Sequence, residues 1–241
     1  VLTELALAGE ATGDPPFEAL RIVVAETGLP HGFVRDHIAG FALDADGWRP
    51  ASEDDLLRYC YHVAGVVGCM MAVVMGVDPA DEATLDRACD LGLAFQLANI
   101  ARDIDEDASV GRCYLPTNWL AEKSIAASDL MAARHRPALT ELVARLTDRA
   151  AAFEYSARAG TPALGFRSAW AVLAAAKIYG DIGRKVAALG GQAWEARVTT
   201  SASEKLGAIW RAWREARSRI RRFPPTPRGD LWTRPRHAPE N

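Results

Sequence analysis

The sequence predicts an all-α protein, a helical bundle around a central cavity or core. Three observations lead there. No apolar–polar alternation survives over five or more residues, so no strand is expected. Apolar residues recur at helical spacing in segments that end at Gly or Pro. The chain has 241 residues, 49% hydrophobic and 24% charged, enough for one sizeable core. We therefore expect a single domain over 1–223 and an irregular Pro/Arg-rich tail over 224–241.

Each element has its own signal. Residues 2–8 read as the end of a helix stopped by Gly9 and Gly13. A helix over 16–27 starts on Pro16 and ends at Gly28, and 30–43 forms a shorter one. Ser52 caps a helix running to about 75, with Glu53, Asp54 and Asp55 in the first turn where they complement the helix dipole. After a linker with Pro79 comes a helix over 81–107. Gly111 and Pro116 make 108–120 a loop. Helices are then expected over 128–134, 137–160, 162–189 and 201–222, and the Pro- and Arg-rich tail should be irregular or mobile.

Composition excludes some functions. The net charge of -3 gives no reason to expect nucleic acid, since the basic residues gather only near the C-terminus. Cys60, Cys69, Cys89 and Cys113 have neither CxxC nor zinc spacing, so buried, reduced thiols in a cytoplasmic protein are expected. The longest apolar run, 63–77, is broken by Gly65, Gly68 and Gly76 and is short for a membrane span. No signal peptide is seen.

The chemistry gathers in the stretch from Gln96 to Asp107. At roughly 100° per residue, Gln96, Asn99, Asp103 and Asp107 lie within about 80° of one helical face. Around them the helix is apolar, with Leu91, Leu93, Phe95, Leu97 and Ile100. A lone acidic pair at this spacing describes an exposed surface as well as a site. Two amides on the same stripe favour a divalent cation holding a phosphate. Asp105 and Glu106 point elsewhere on the wheel, toward solvent. Arg102 is either a partner for a neighbouring carboxylate or a positive group near phosphate. Arg112, just after Gly111, has the reach to fold back over an anion, though an ordinary loop arginine explains it equally. Ala64, Gly65 and Gly68 permit close approach of another helix or of a long apolar ligand. His62 reads as structural, Tyr59 as a polar handle at a cavity mouth, and Tyr179 as a core residue.

The stretches Asp36–Asp44, Tyr59–Gly68, Leu91–Asp107 and Gly111–Pro116 together resemble the squalene/phytoene synthase family, over nearly the whole chain from about residue 15. The Gly-Arg-Cys-Tyr-Leu-Pro stretch after the acidic helix, and Leu231-Trp232 in the tail, look most like bacterial phytoene synthases. That resemblance implies the isoprenoid synthase fold. It implies condensation of two geranylgeranyl diphosphates to phytoene through a cyclopropyl (prephytoene) diphosphate, in carotenoid biosynthesis. It implies Mg²⁺, with Mn²⁺ as a substitute, held by Asn99, Asp103 and Asp107. Asp103, Asp107, Tyr59 and Arg102 would be catalytic, and Gln96, Asn99, Arg112 and Tyr179 would bind substrate. Diphosphate and tyrosine hydroxyls both remain as proton acceptors. The family's first aspartate-rich motif is not found here, and because Val1 already reads as helix interior, a preceding segment carrying it is expected. Two alternatives stand beside this reading: a dehydrosqualene or squalene synthase using farnesyl diphosphate, and a non-catalytic relative acting as an assembly or lipid-binding module. Greasy substrates and Arg-rich 211–222, with Trp210 and Trp213 beside it, add an expected peripheral contact at the inner membrane face. An ordinary C-terminal helix with a solvated basic face accounts for that segment as well. Oligomeric state is not readable.

Overall fold

The computed structural model describes residues 1–237. Ten α-helices carry the fold among them, with no strand: α1 (Leu2–Leu7), α2 (Pro15–Thr27), α3 (His31–Ala45), α4 (Glu53–Cys60), α5 (Val66–Val74), α6 (Glu82–Ser109), α7 (Thr117–Glu122), α8 (Arg136–Arg158), α9 (Phe166–Leu189) and α10 (Ala202–Arg222). The starts follow the expected caps. Ser52 and Ser201 form reciprocal capping boxes with Asp55 and Glu204, and Asp81 accepts from the Thr84 amide. Gly28 ends α2 in the left-handed conformation that a Cβ disfavours.

The 28-residue α6 is the axis of the molecule, packed by α5, α8 and α9. A helix surrounded on most sides must be apolar on most sides. Leu85, Leu93, Leu97, Ile100 and Ile104 are accordingly buried in one core with residues of α4, α8 and α9. α10 covers the outside of α9.

α4 and α5 form one continuous rod joined through a π-helical turn, Tyr61–Gly65. By length and composition this rod is apolar enough to cross a membrane, contrary to the expectation from the glycine interruptions. In the fold it is half buried against its neighbours, α6 foremost. The small residues are what bring the two helices together. A Cβ on Gly92 would meet the Ala64 carbonyl oxygen at 2.2 Å, and one on Gly68 would meet that of Ala88 at 2.2 Å. Another helix therefore uses the close approach, while the outer side of the same stripe stays free for a cavity.

Three further expectations need correction. The loop over 108–120 gives way at Thr117 to α7, whose first amides bond outside the helix to Pro50 and Ala51. The helix over 128–134 is two 3₁₀ turns, Ala127–Asp129 and Ala133–His135, because Asp129 draws in Arg134 and His135 and Leu130 is its buried anchor. The tail is irregular but pinned across its described part: Arg228 reaches Asp90, Arg236 reaches Asp86, and Arg234 is 3% exposed. Its last residues, 238–241, lie outside the described residues.

Candidate active site

Helix α6 carries the Gln96 and Asn99 part of the expected polar stripe into a cavity of about 450 Å³, while Arg102, Asp103, Asp107 and Arg112 lie outside its lining. The walls come from the α4–α5 rod, α6 and α9, with the end of α8 closing one side. They are mainly apolar: Val63, Val67, Met71, Leu91, Phe95 and Val172 are typical. Gln96 and Asn99 enter this lining, and Tyr179 joins them from α9, its ring stacked on Phe95 at 4.2 Å. The Asn99 side-chain oxygen is buried without a hydrogen-bond partner among the described residues. Such a group costs free energy unless a ligand or water completes it.

One and two turns beyond Asn99, the stripe reaches Asp103 and Asp107. The Arg102 guanidinium forks onto Asp103, with Nε at 2.7 Å, so of its two sequence readings the structure shows the ion pair with a neighbour. Arg197, from the segment before α10, adds a second cation at 3.3 Å from Asp103 and bonds Glu106 at 2.9 Å. Burial pushes the Asp107 carboxyl up to about 6, and the negative charge of Asp103 adds to the rise while Arg112 opposes it. Asp107 is thus a half-buried carboxylate short of positive charge. Asp105 and Glu106 are exposed, as the helical wheel predicts.

Tyr59 stands differently from the expectation. It is 3% exposed, stacked between Trp48 and Tyr114, and donates its hydroxyl to Asp44 at 2.8 Å. It is absent from the cavity lining, because the aromatic stack and the Asp44 bond hold it behind the wall. Asp44 adds to the charge that raises Asp107, so the Tyr59–Asp44–Tyr114 group backs the acidic end of the site. Arg112 lies on the exposed loop, its backbone amide bonded to the Asp107 carbonyl at 2.8 Å. His62 bonds the Asp36 carbonyl and is structural. All four cysteines are buried and free.

Asp44, Tyr114 and Arg197 were missed from the sequence. Asp44 and Tyr114 lie within the family-like stretches Asp36–Asp44 and Gly111–Pro116 without a pattern of their own, and Arg197 carries no local signal at all. The donor set suits a divalent cation shared with a diphosphate: an orphaned amide oxygen and two carboxylates on one face, with the oxygens of a ligand and of water completing the shell. Among the described residues no three His, Cys, Asp or Glu side chains converge into a closed metal cage, so any cation here would need those outside oxygens.

A bundle of long helices enclosing an apolar cavity, with acid and amide oxygens at one end, defines a class of proteins that handle prenyl diphosphates. The chain belongs to the squalene/phytoene synthase family, whose profile matches residues 2–204. It is 51% identical to 15-cis-phytoene synthase of Enterobacter agglomerans, over 92% of this chain and 75% of that protein. It is 47% identical to the protein of the same name from Pantoea ananas, over 97% and 75% respectively. Among solved structures, a dehydrosqualene synthase crystallised in complex with ligand superposes with a TM-score of 0.81 at 27% identity, covering 90% of this chain and 76% of that one. The fold is therefore that of the isoprenoid synthases, and the chain is a prenyltransferase of a family that works on prenyl diphosphates, generally with a divalent metal.

Proposed function

We propose that the protein joins two geranylgeranyl diphosphates head to head, through a cyclopropyl diphosphate, to give phytoene. One observation supports this above the rest: an apolar cavity long enough for a prenyl chain ends at Asn99, whose side-chain oxygen has no protein partner, with Asp103 and Asp107 next along the helix. The phytoene synthases at 46–51% identity support the four-unit substrate.

Mg²⁺, or Mn²⁺ in its place, would be held by Asn99, Asp103 and Asp107 and would supply neutralising charge to a departing diphosphate. The protein's own residues do the rest. Arg102 and Arg197 fix the Asp103 carboxylate in one orientation. Arg112 adds positive charge on the loop beside Asp107. Gln96 offers an amide to the head group, and Phe95 with Tyr179 offers aromatic faces to an allylic cation. The apolar walls keep water away from it.

Incubation of the full-length protein with geranylgeranyl diphosphate, with and without Mg²⁺, should yield phytoene only with the metal. Asp103→Asn should cut turnover at least about a hundredfold. A folded Asp103→Asn variant that makes phytoene at the parent rate would defeat the assignment. The farnesyl alternative is supported by the likeness to a dehydrosqualene synthase, and product mass from each diphosphate separates the two.

The product is a hydrocarbon, and α10 fits a peripheral contact with an anionic bilayer at the inner membrane face. Leu206, Trp210 and Ile220 stand 68%, 60% and 72% exposed. Arg214, Arg217 and Arg221 surround them without an acidic partner among the described residues, Arg217 lying over the Trp213 ring. Reversing these three arginines to Glu should abolish co-sedimentation with anionic vesicles; unchanged sedimentation removes α10 as the contact.

A further inference from the structure

The cavity has a second end. Its α6 lining runs from Asn99 back to Arg87 and Thr84, about 18 and 22 Å along the axis at 1.5 Å per residue. At that end Arg87 is the one charged residue in the lining. Its guanidinium is tied away from the hollow: one nitrogen donates to the Ser156 hydroxyl at 2.6 Å and carbonyl at 3.2 Å, the other to the Thr226 carbonyl. The stem of the side chain is left as apolar wall. Gly160 leaves room for that stem, since a Cβ there would stand 2.6 Å from the Arg87 Cβ.

Thr226 belongs to the C-terminal tail, and the tail is clasped onto α6. Arg228 donates to both oxygens of the fully buried Asp90, at 3.0 and 2.6 Å, and Ser156 donates to the same carboxylate. Arg236 forks onto Asp86 at 2.6 and 2.7 Å. Asp86 and Asp90 thus form a second acidic pair on α6, of the same spacing as Asp103 and Asp107 but already saturated by the tail's arginines.

We propose that Arg87, held by Ser156 and by the clasped tail, is the floor that sets the length of prenyl chain the cavity accepts. The inference rests on the prenyl diphosphate reading of the opposite end. Removing the Arg87 side chain deepens the cavity. Loosening the tail lets the guanidinium turn to water, which a charged group prefers to an apolar hollow, and so opens the floor.

The test uses full-length protein with diphosphates of three, four and five isoprene units as substrates, and their unreactive thiodiphosphate analogues in calorimetry. Arg87→Ala should raise preference for five units over four at least about tenfold, in kcat/KM and in affinity alike. Arg228→Lys, which keeps the charge but loses the fork, should move the ratio the same way. A merely structural role would lower all three substrates together and leave the ratios at their parent values, which overturns the floor. Should the affinity ratios shift while even the parent turns over no prenyl diphosphate, the floor stands and the proposed activity falls.

Discussion

Asp107 shows how much a single side chain feels its surroundings. Burial and the Asp103 charge lift its carboxyl from 3.8 to about 6. Between those values the folded protein holds a proton that the unfolded chain has released. Stability contributed by this group is therefore present below about 4, falls as pH rises through the window, and stays lost above 6. Asp107→Asn should consequently raise Tm at pH 7 by about 2 °C or more in metal-free buffer and change little at pH 4. Melting curves at the two pH values check it; an equal shift at both would mean that charge is not the cause. The spacing of Asp103 and Asp107 was readable from sequence because i and i+4 share a helical face. That Arg197 would face Asp103, or that Asp44 would act on Asp107, was not, since those residues arrive from other elements.

At the scale of elements, the contact between the α4–α5 rod and α6 depends on absent side chains. Gly92→Ala would drive a Cβ against the Ala64 backbone, which cannot yield as a flexible side chain can. A loss of about 3 kcal/mol or more is expected, with the cavity wall displaced. Gly183→Ala on α9 is the opposite case: its nearest neighbour is the Ala98 Cβ at 3.7 Å, so the helix gains about 0.5–1 kcal/mol. Denaturant midpoints for the pair should move in opposite directions. The glycines were legible as sites of close approach, yet sequence left open whether a helix or a ligand used them. The π turn at Tyr61–Gly65 had no signal, because a single widened turn inside a helix changes neither its composition nor its caps.

At the scale of the whole molecule, the tail is part of the fold. Asp90 is fully buried and depends on Arg228 and Ser156 for its bonds. Arg228→Ala leaves that carboxylate without its ion pair, which typically costs 3–5 kcal/mol and should lower Tm by roughly 10 °C. Trp232→Phe, which keeps an aromatic ring beside Tyr61 but loses the exposed bond to Asp54 and part of its contact with the core, should cost less, about 1–2 kcal/mol. Thermal melts of the two variants separate a clasp from a loose end. Equal, small shifts would show that the tail contributes nothing to the core.

By itself the sequence determined the helical class, most helix starts and the stripe from Gln96 to Asp107, since caps, glycine stops and a 3.6-residue period act within a few turns of chain. It also carried enough family pattern to name the chemistry. Only the tertiary structure decided that Tyr59 sits behind the cavity wall, that Arg102 is spent on Asp103, and that a Pro- and Arg-rich tail folds back onto Asp86 and Asp90. Those outcomes depend on charges and carbonyls brought together from up to 150 positions apart, as with Arg236 and Asp86, and no local periodicity records such meetings.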